Sequence, residues 1–315
     1  MRNTITSSFS TGEFHGYNVK FSPFRKNLLA CAASQNYGIA GSGRLFVLDI
    51  QNGREFKVVT TRDYSDGLFD VTWSELNEQL LVTSCGDGSI QIWDYVSAAD
   101  PVTHYRIHEK EVYSVEWNPK NAMPVILSAS WDHTVKVWNP FVCKEIAAYL
   151  EHTDQVYEAT WCPMVPHLFA SVSGDRTLRL WDVRCNTRSN GWYAHDSEVL
   201  CCDWSKFDRD VLATGTTNGK IVEWDVRKMA HPLFMLSGHE YAIRQLKFSP
   251  HQPGTLASVS YDFTTRFWNW NIPQALQIHK EHKEFVYGLD FNPMKPGQAC
   301  DCGWDSLLYI YDEVM

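Results

Sequence analysis

One interval governs what this chain can become. An apolar or aromatic residue followed by Asp or Asn recurs with closing positions Asp49, Asp94, Asn139, Asp182, Asp225, Asn269 and Asp312, at spacings of 45, 45, 43, 43, 44 and 43 residues. The residue before each is Leu48, Trp93, Trp138, Trp181, Trp224, Trp268 or Tyr311. Seven residues before each closing position lies a turn residue: Ser42, Asp87, Asp132, Asp175, Asn218, Asp262 and Asp305. A second thread keeps the same phase. His108, His152, His195, His239 and His282 stand nine residues ahead of Trp117, Trp161, Trp204, Phe248 and Phe291, and Tyr64 takes that place before Trp73. A unit of this length cannot bury its own apolar face, so its copies must stack on one another.

A period of 43–45 residues with this His, Asp and Trp-Asp grammar is the WD-repeat signature, one four-stranded blade per copy. Residues 1–315 therefore read as a single all-β domain, a seven-bladed WD-repeat β-propeller. Val135 and Val137 alternate with polar residues, as a strand between packed sheets requires. Burying each closing Trp (Trp138, Trp181, Trp224 and Trp268 among them) stabilises the fold by about 2–3 kcal/mol. The turn residues Asp132, Asp175 and Asp262 and the histidines His108, His152, His195 and His239 read as loop pins, completed by Ser128, Ser171, Thr214 or Ser258. Their identical repeat position argues for a structural role over catalysis. The pairs His104/His108 and His279/His282 hint at zinc, but no cysteine or carboxylate pattern accompanies them.

The copies leave the seventh blade one strand short, because the sequence ends at Met315 just after its third strand. The segment from Asn3 to Gly12, with Ile5 and Phe9, precedes the first inner strand at Tyr17–Phe21. It is expected to complete the last blade and close the ring, removing an exposed edge.

Composition narrows the function. The net charge of −9 argues against a nucleic-acid surface or an anionic-membrane surface and favours basic partners. Nine cysteines without a regular framework fit a reduced intracellular setting. No signal-peptide core and no apolar run of membrane-spanning length is present in the sequence, so direct membrane insertion is not expected. Gly41-Ser42-Gly43 is no nucleophile elbow, and Cys85-Gly86-Asp87-Gly88 lacks the Lys-Ser/Thr of a phosphate loop. The chain reads as a binding protein with no cofactor, not as an enzyme.

Two positions per blade should emerge on the face that carries the histidine loops. The start of the inner strand supplies Tyr17, Phe69, Tyr113, Tyr157, Arg244 and Tyr287, with Asp66, Glu111 and Glu198 close by. The residue before the turn Asp supplies Trp131, Tyr261 and Trp304, where the fourth copy has Gly174, a residue better suited to a tight turn. These three aromatics either cap the central channel or form a binding surface. The second is favoured because aromatics are enriched at interaction hot spots. Aromatics rimmed by carboxylates suit an amphipathic helix bearing basic residues.

Beyond the generic repeat, the chain resembles the family of peroxisomal receptors for the type-2 targeting signal. The resemblance runs from residue 14 to residue 312 through GYNVKFSPF, QNYGIAGSGRLFVLD, DGLFDVTWSE, GDGSIQIWD, HEKEVYSVEWNP, SASWDHTVKVW, SGDRTLRLWDVR, LCCDWSKFD, YAIRQLKFSPH and SYDFTTRFWN. QNYGIAG and DGLFDVTWSE are not demanded by a propeller. The resemblance implies a cytosolic receptor, shuttling to the peroxisome matrix, for cargo enzymes with an N-terminal signal of Arg-Leu, five residues, then His-Leu. The signal would dock as a helix across the open face, and a co-receptor would cover it and link it to the peroxisomal docking complex. Asp66 and Glu111 would pair with the signal's basic residues, while Arg244 and the aromatics take its apolar side. Gly303 departs from the family, where Ser can stand, with an effect expected in the last blade's polar network.

A different scaffold class also fits. Trp181-Asp182-Val183-Arg184 and Trp224-Asp225-Val226-Arg227 are similar to the boxes of WD-repeat substrate receptors of cullin-RING ubiquitin ligases. Such boxes occur in many propellers and would act through another surface.

Overall fold

The computed structural model describes residues 5–97, 99–118, 124–142, 144–185, 190–193, 195–272 and 274–312. Seven four-stranded antiparallel sheets follow one another around a ring. Blade 1 comprises His15–Phe21, Leu28–Ser34, Gly43–Gln51 and Glu55–Tyr64, and blade 7 runs from Val286–Phe291 through Ala299–Gly303 to Leu307–Tyr311. The inner strand of each blade touches those of both neighbours, Val286–Phe291 meeting His15–Phe21 to complete the circuit. No helix among the described residues is long and apolar enough to cross a membrane, and no cluster of three or more His, Cys, Asp or Glu among them is arranged to hold a metal.

Closure follows the expected route. Ile5–Ser10 pairs antiparallel with Leu307–Tyr311 as the outer strand of blade 7, with Phe9 opposite Leu308 and Ile5 opposite Tyr311. Asn3 and Thr4 lie outside the described residues. Phe9 meets Phe46 and Phe56 of blade 1 at ring distances of 5.8 and 5.6 Å, so the strand also packs across the seam.

Each of the seven blade interfaces has its own apolar cluster. Trp93, Trp138, Trp181, Trp224 and Trp268 are all buried there, with Tyr311 and Leu48 in the equivalent places. Nearer the axis a second bond type crosses every junction. The amides of Val115, Trp161, Cys202, Phe248, Leu289 and Phe21 donate to Asp70, Glu116, Glu158, Asp203, Gln245 and Asp290 of the preceding blade, at 2.6 to 3.0 Å. The Asn18 amide bonds Asp70 at the remaining junction. Burial pushes Glu116 up to about 7 and raises Asp70 and Asp290. The Lys247 ammonium stands 3.4 Å from Glu158.

The pins above the sheets vary by blade. In blade 4, His152 bonds Asp175 at 2.8 Å and Ser171 at 2.7 Å, and the Trp181 indole donates to the same Ser171 hydroxyl at 2.8 Å. Blade 6 repeats this with His239, Asp262, Ser258 and Trp268. In blade 3, His108 bonds Asp132 and Ser128, while the Trp138 indole has no partner among the described residues. His195 keeps Thr214 at 2.7 Å, but Asn218 is bonded by Thr216 instead. Burial holds His108, His152 and His239 below the ordinary imidazole range despite their aspartates, so they sit neutral.

The residue needing left-handed backbone in these turns is the one after the Asp: φ is +72° at His133, +65° at Arg176, +67° at Phe263 and +63° at Ser306, with Gly88 and Gly219 elsewhere. Gly174 has no positive φ, so the place occupied by Trp131 does not call for glycine. In the last blade His282 lies between Asp305 at 2.8 Å and Asp301 at 3.0 Å, where blades 2 to 6 have Ser or Thr. A Cβ on Gly303 would stand 2.7 Å from His282 Nδ1, so this blade's ring placement requires the glycine.

Two outcomes are expected. Removing residues 2–12 strips the outer strand from blade 7 and should cost about 3–5 kcal/mol in urea unfolding; an unchanged midpoint would refute the closure. Burial disfavours charge on His282, yet Asp301 and Asp305 raise it to about 9, above its unfolded value near 6.5. Its ion-pair contribution is full below about pH 6.5 and lost as pH rises through about 9. The melting temperature should therefore fall between pH 7 and 10 more steeply in the parent than in Asp301→Asn.

Candidate functional site

Six side chains, those of Tyr17, Phe69, Tyr113, Tyr157, Arg244 and Tyr287, converge on the channel mouth for one backbone reason. The ladder between first and second strands of every blade slips by one residue, and the slipped residues are Tyr17, Phe69, Tyr113, Tyr157, Leu200, Arg244 and Tyr287. A bulge leaves its residue unpaired and re-aims its side chain, here toward the axis.

What they build is a plug. Trp131 stacks on Tyr113 with centroids 5.0 Å apart, and Trp304 stacks on Tyr287 at 4.7 Å. Between the two tyrosines lies the Arg244 guanidinium, 4.7 Å from one ring and 5.0 Å from the other. The Tyr261 hydroxyl meets that of Tyr287 at 2.8 Å, and its ring stacks on Phe285 at 4.4 Å. The sequence reading placed Tyr17, Phe69, Tyr113, Arg244 and Tyr287 on the exposed face, but all five are buried, Arg244 to 8% exposure. They form the floor and channel cap. Trp131, Tyr157, Tyr261 and Trp304 remain half-buried at its upper surface.

Above the floor lies a cleft of about 580 Å³. Trp131, Trp304 and Phe285 line it, Glu111 and Glu284 supply its carboxylates, and Tyr37 and Ile39 overhang from blade 1. That overhang is the QNYGIAG insertion. Its Tyr37 carbonyl accepts the Tyr17 hydroxyl at 2.6 Å, and its ring stacks on His15 at 4.0 Å. Gly38 has φ of +67°, and a Cβ there would lie 2.5 Å from the Tyr17 hydroxyl. Ile39 is left 86% exposed.

The three expected carboxylates are not gathered together. Glu111 lines the cleft, and its carbonyl accepts the Trp131 amide at 3.0 Å. Asp66 lies outside the cleft lining, capping its own Gly67 amide at 2.7 Å beside Gly86. Glu198 is exposed over blades 4 and 5 and accepts the Tyr157 hydroxyl at 3.1 Å. Sequence reading missed Tyr37, Ile39, Glu284 and Phe285. The signal for the first two was present, since QNYGIAG has no counterpart in the other repeats.

A family model described as "WD domain, G-beta repeat" matches residues 56–94, 99–139, 143–182, 186–225 and 230–269. The chain is 47% identical over 301 residues to the mouse (Mus musculus) peroxisomal targeting signal 2 receptor, covering 95% of this chain and 94% of that one. It is 40% identical over 306 residues to peroxisome biogenesis protein 7 of Arabidopsis thaliana, covering 96% of each. The Saccharomyces cerevisiae peroxisomal targeting signal 2 receptor is 29% identical over 365 residues, with 95% of this chain and 97% of that one covered. This chain belongs to the peroxisomal targeting signal 2 receptor family. Within that family's propeller, the capped mouth and its cleft are the apolar, carboxylate-bearing surface that departs from the repeat.

The stack also makes a stability prediction for this receptor-family fold. Arg244→Leu removes the charge between Tyr113 and Tyr287 and should cost about 1–3 kcal/mol. Near-ultraviolet circular dichroism should weaken as the coupled rings lose register; an unaltered spectrum and midpoint would contradict the stack.

Proposed function

We propose that this protein is a peroxisomal import receptor that binds the N-terminal type-2 signal helix of cargo proteins in the cleft above the plug. It acts by binding and performs no chemistry. The observation that carries the reading is the cleft itself: an apolar bed of Trp131, Trp304 and Phe285 with carboxylates Glu111 and Glu284 at its wall. An amphipathic helix with Arg and His on its flank satisfies both parts, laying leucines on the rings and pairing its cations with the acids. Asp66 and Glu198, outside the cleft, extend the negative field that steers such a helix. The relatives' names as targeting-signal receptors support the same partner class. A co-receptor covering the exposed side of the helix, delivery to the peroxisomal docking complex, and shuttling between cytosol and peroxisome matrix complete the proposal.

The ubiquitin-ligase reading is weaker here. Arg184 and Arg227 close on Asp182 and Asp225 of their own boxes at 2.6 and 2.8 Å, so the two boxes are internally paired.

Titrating a fluorescent type-2 signal peptide decides the matter. Glu111→Arg combined with Glu284→Arg, which reverses both carboxylates of the cleft wall, should weaken it by about 1.5–3 kcal/mol for each ion pair broken, roughly tenfold to a hundredfold apiece. Unchanged affinity in that double variant would sink the site assignment.

A further inference from the structure

The opposite end of the channel shows a second organised surface. Each inner strand ends in an aromatic, and three residues later stand Phe24, Leu76, Met164, Phe207 and Met294 in five of the blades. His251 takes the place in blade 6, and residue 120 of blade 3 lies outside the described residues. All five apolar side chains are exposed, between 37% and 55%. They are held outward by a repeated turn. The Ser22, Ser74 and Ser205 hydroxyls accept the amides of Phe24, Leu76 and Phe207 at 3.2 Å, and the Asn292 side chain accepts that of Met294 at 2.9 Å. Scattered exposed apolar residues are ordinary, but one rigid position repeated around a mouth is a patch.

The mouth it surrounds is negative. Directly before four of these residues, Pro23, Glu75, Lys206 and Pro293 line a cavity of about 250 Å³. Its walls carry the carboxyl groups of Asp70, Glu75, Glu116, Glu158, Asp203 and Asp290 against the ammonium groups of Lys20, Lys206 and Lys247. All of these acids but Glu75 accept inter-blade amides. Glu75 is half-buried and accepts no hydrogen bond among the described residues, and burial raises its carboxyl above the ordinary range.

We propose that this lower mouth is a docking point for a partner protein segment that presents a Lys or Arg side chain from an apolar surface. The cation enters the cavity toward Glu75, and the surrounding apolar residues of the segment rest on the ring of Phe24, Leu76, Met164, Phe207 and Met294. Charge complementarity selects this occupant: an anionic or purely apolar segment would leave the Glu75 carboxyl without a partner, whereas the other wall acids already hold inter-blade amides. The surface lies at the far end of the channel from the cargo cleft, so both can be occupied together.

The natural methyl probes make the test direct. With ¹³C-methyl methionine in the full chain, n-pentylguanidinium is titrated against n-pentanol as the uncharged control. The Met164 and Met294 methyl signals should shift saturably with the guanidinium, at least fivefold more tightly than with pentanol, while the exposed Met235 stays in place. Glu75→Gln and Phe207→Ser should each weaken that binding at least threefold and leave type-2 signal peptide affinity unaltered. Equal response to pentanol, no response at Met164 and Met294, or indifference to both substitutions would overturn the proposal. Loss of signal-peptide binding in the parent chain would instead strike only the cargo reading.

Discussion

An amide of each inner strand, or in blade 2 the Asp70 side chain, is bonded by a side chain of the neighbouring blade, and the rest of the molecule hangs on that girdle. Apolar stacking between blades is non-directional and tolerates rotation. A hydrogen bond from a fixed backbone N–H does not, so the girdle sets the angle between neighbours. Blades 2, 4 and 6 use a residue three before the strand-ending aromatic, and blades 3, 5 and 7 the residue directly before it. With an odd number of blades the alternation must fault once. It does so at blade 1, which contributes Asn18 at the same level as Asp70 of blade 2.

A ring of buried acids brings a liability, since uncompensated charge in a narrow channel draws in water and cations. Three lysines offset part of it from within, and Arg244 faces it from above. Seating that guanidinium between Tyr113 and Tyr287, each backed by a tryptophan, closes the upper end with no carboxylate bonded to it among the described residues. Trp131 therefore serves two roles. One face completes the stack on Tyr113, and the ring also lines the cleft above it.

Much of this was legible in the sequence, because repetition multiplies weak local signals. Closing tryptophans, turn aspartates and loop histidines recur in phase, and the missing outer strand could be inferred by counting. What stayed hidden depends on register. A bulge at Tyr113 or Arg244 leaves composition and period unchanged, so these residues read as surface when the slip sends them inward to the mouth. Glu116 and Asp203 each sit between apolar neighbours like any polar strand residue, and nothing local tells a channel-facing acid from a solvated one. Trp131 was set against Gly174 on the premise that the turn needs a flexible residue there, but the strain falls two places on, at His133. The insertion carrying Tyr37 was visible as a departure from the repeat, yet only its packing on Tyr17 and Phe69 shows where it reaches.

The seam has a consequence for biosynthesis. Thr6 and Ile310 bond across 304 residues of sequence, and Asp290 reaches back to Phe21 over 269. During synthesis Ile5–Ser10 emerges long before its partner Leu307–Tyr311, and blade 1 waits with one flank open until blade 7 has been made. Such long-range pairing is slow and leaves a strand edge available to other chains meanwhile. The ring thus stays open until blade 7 has been synthesised, and its closure is expected to benefit from chaperones that shield an unpaired edge.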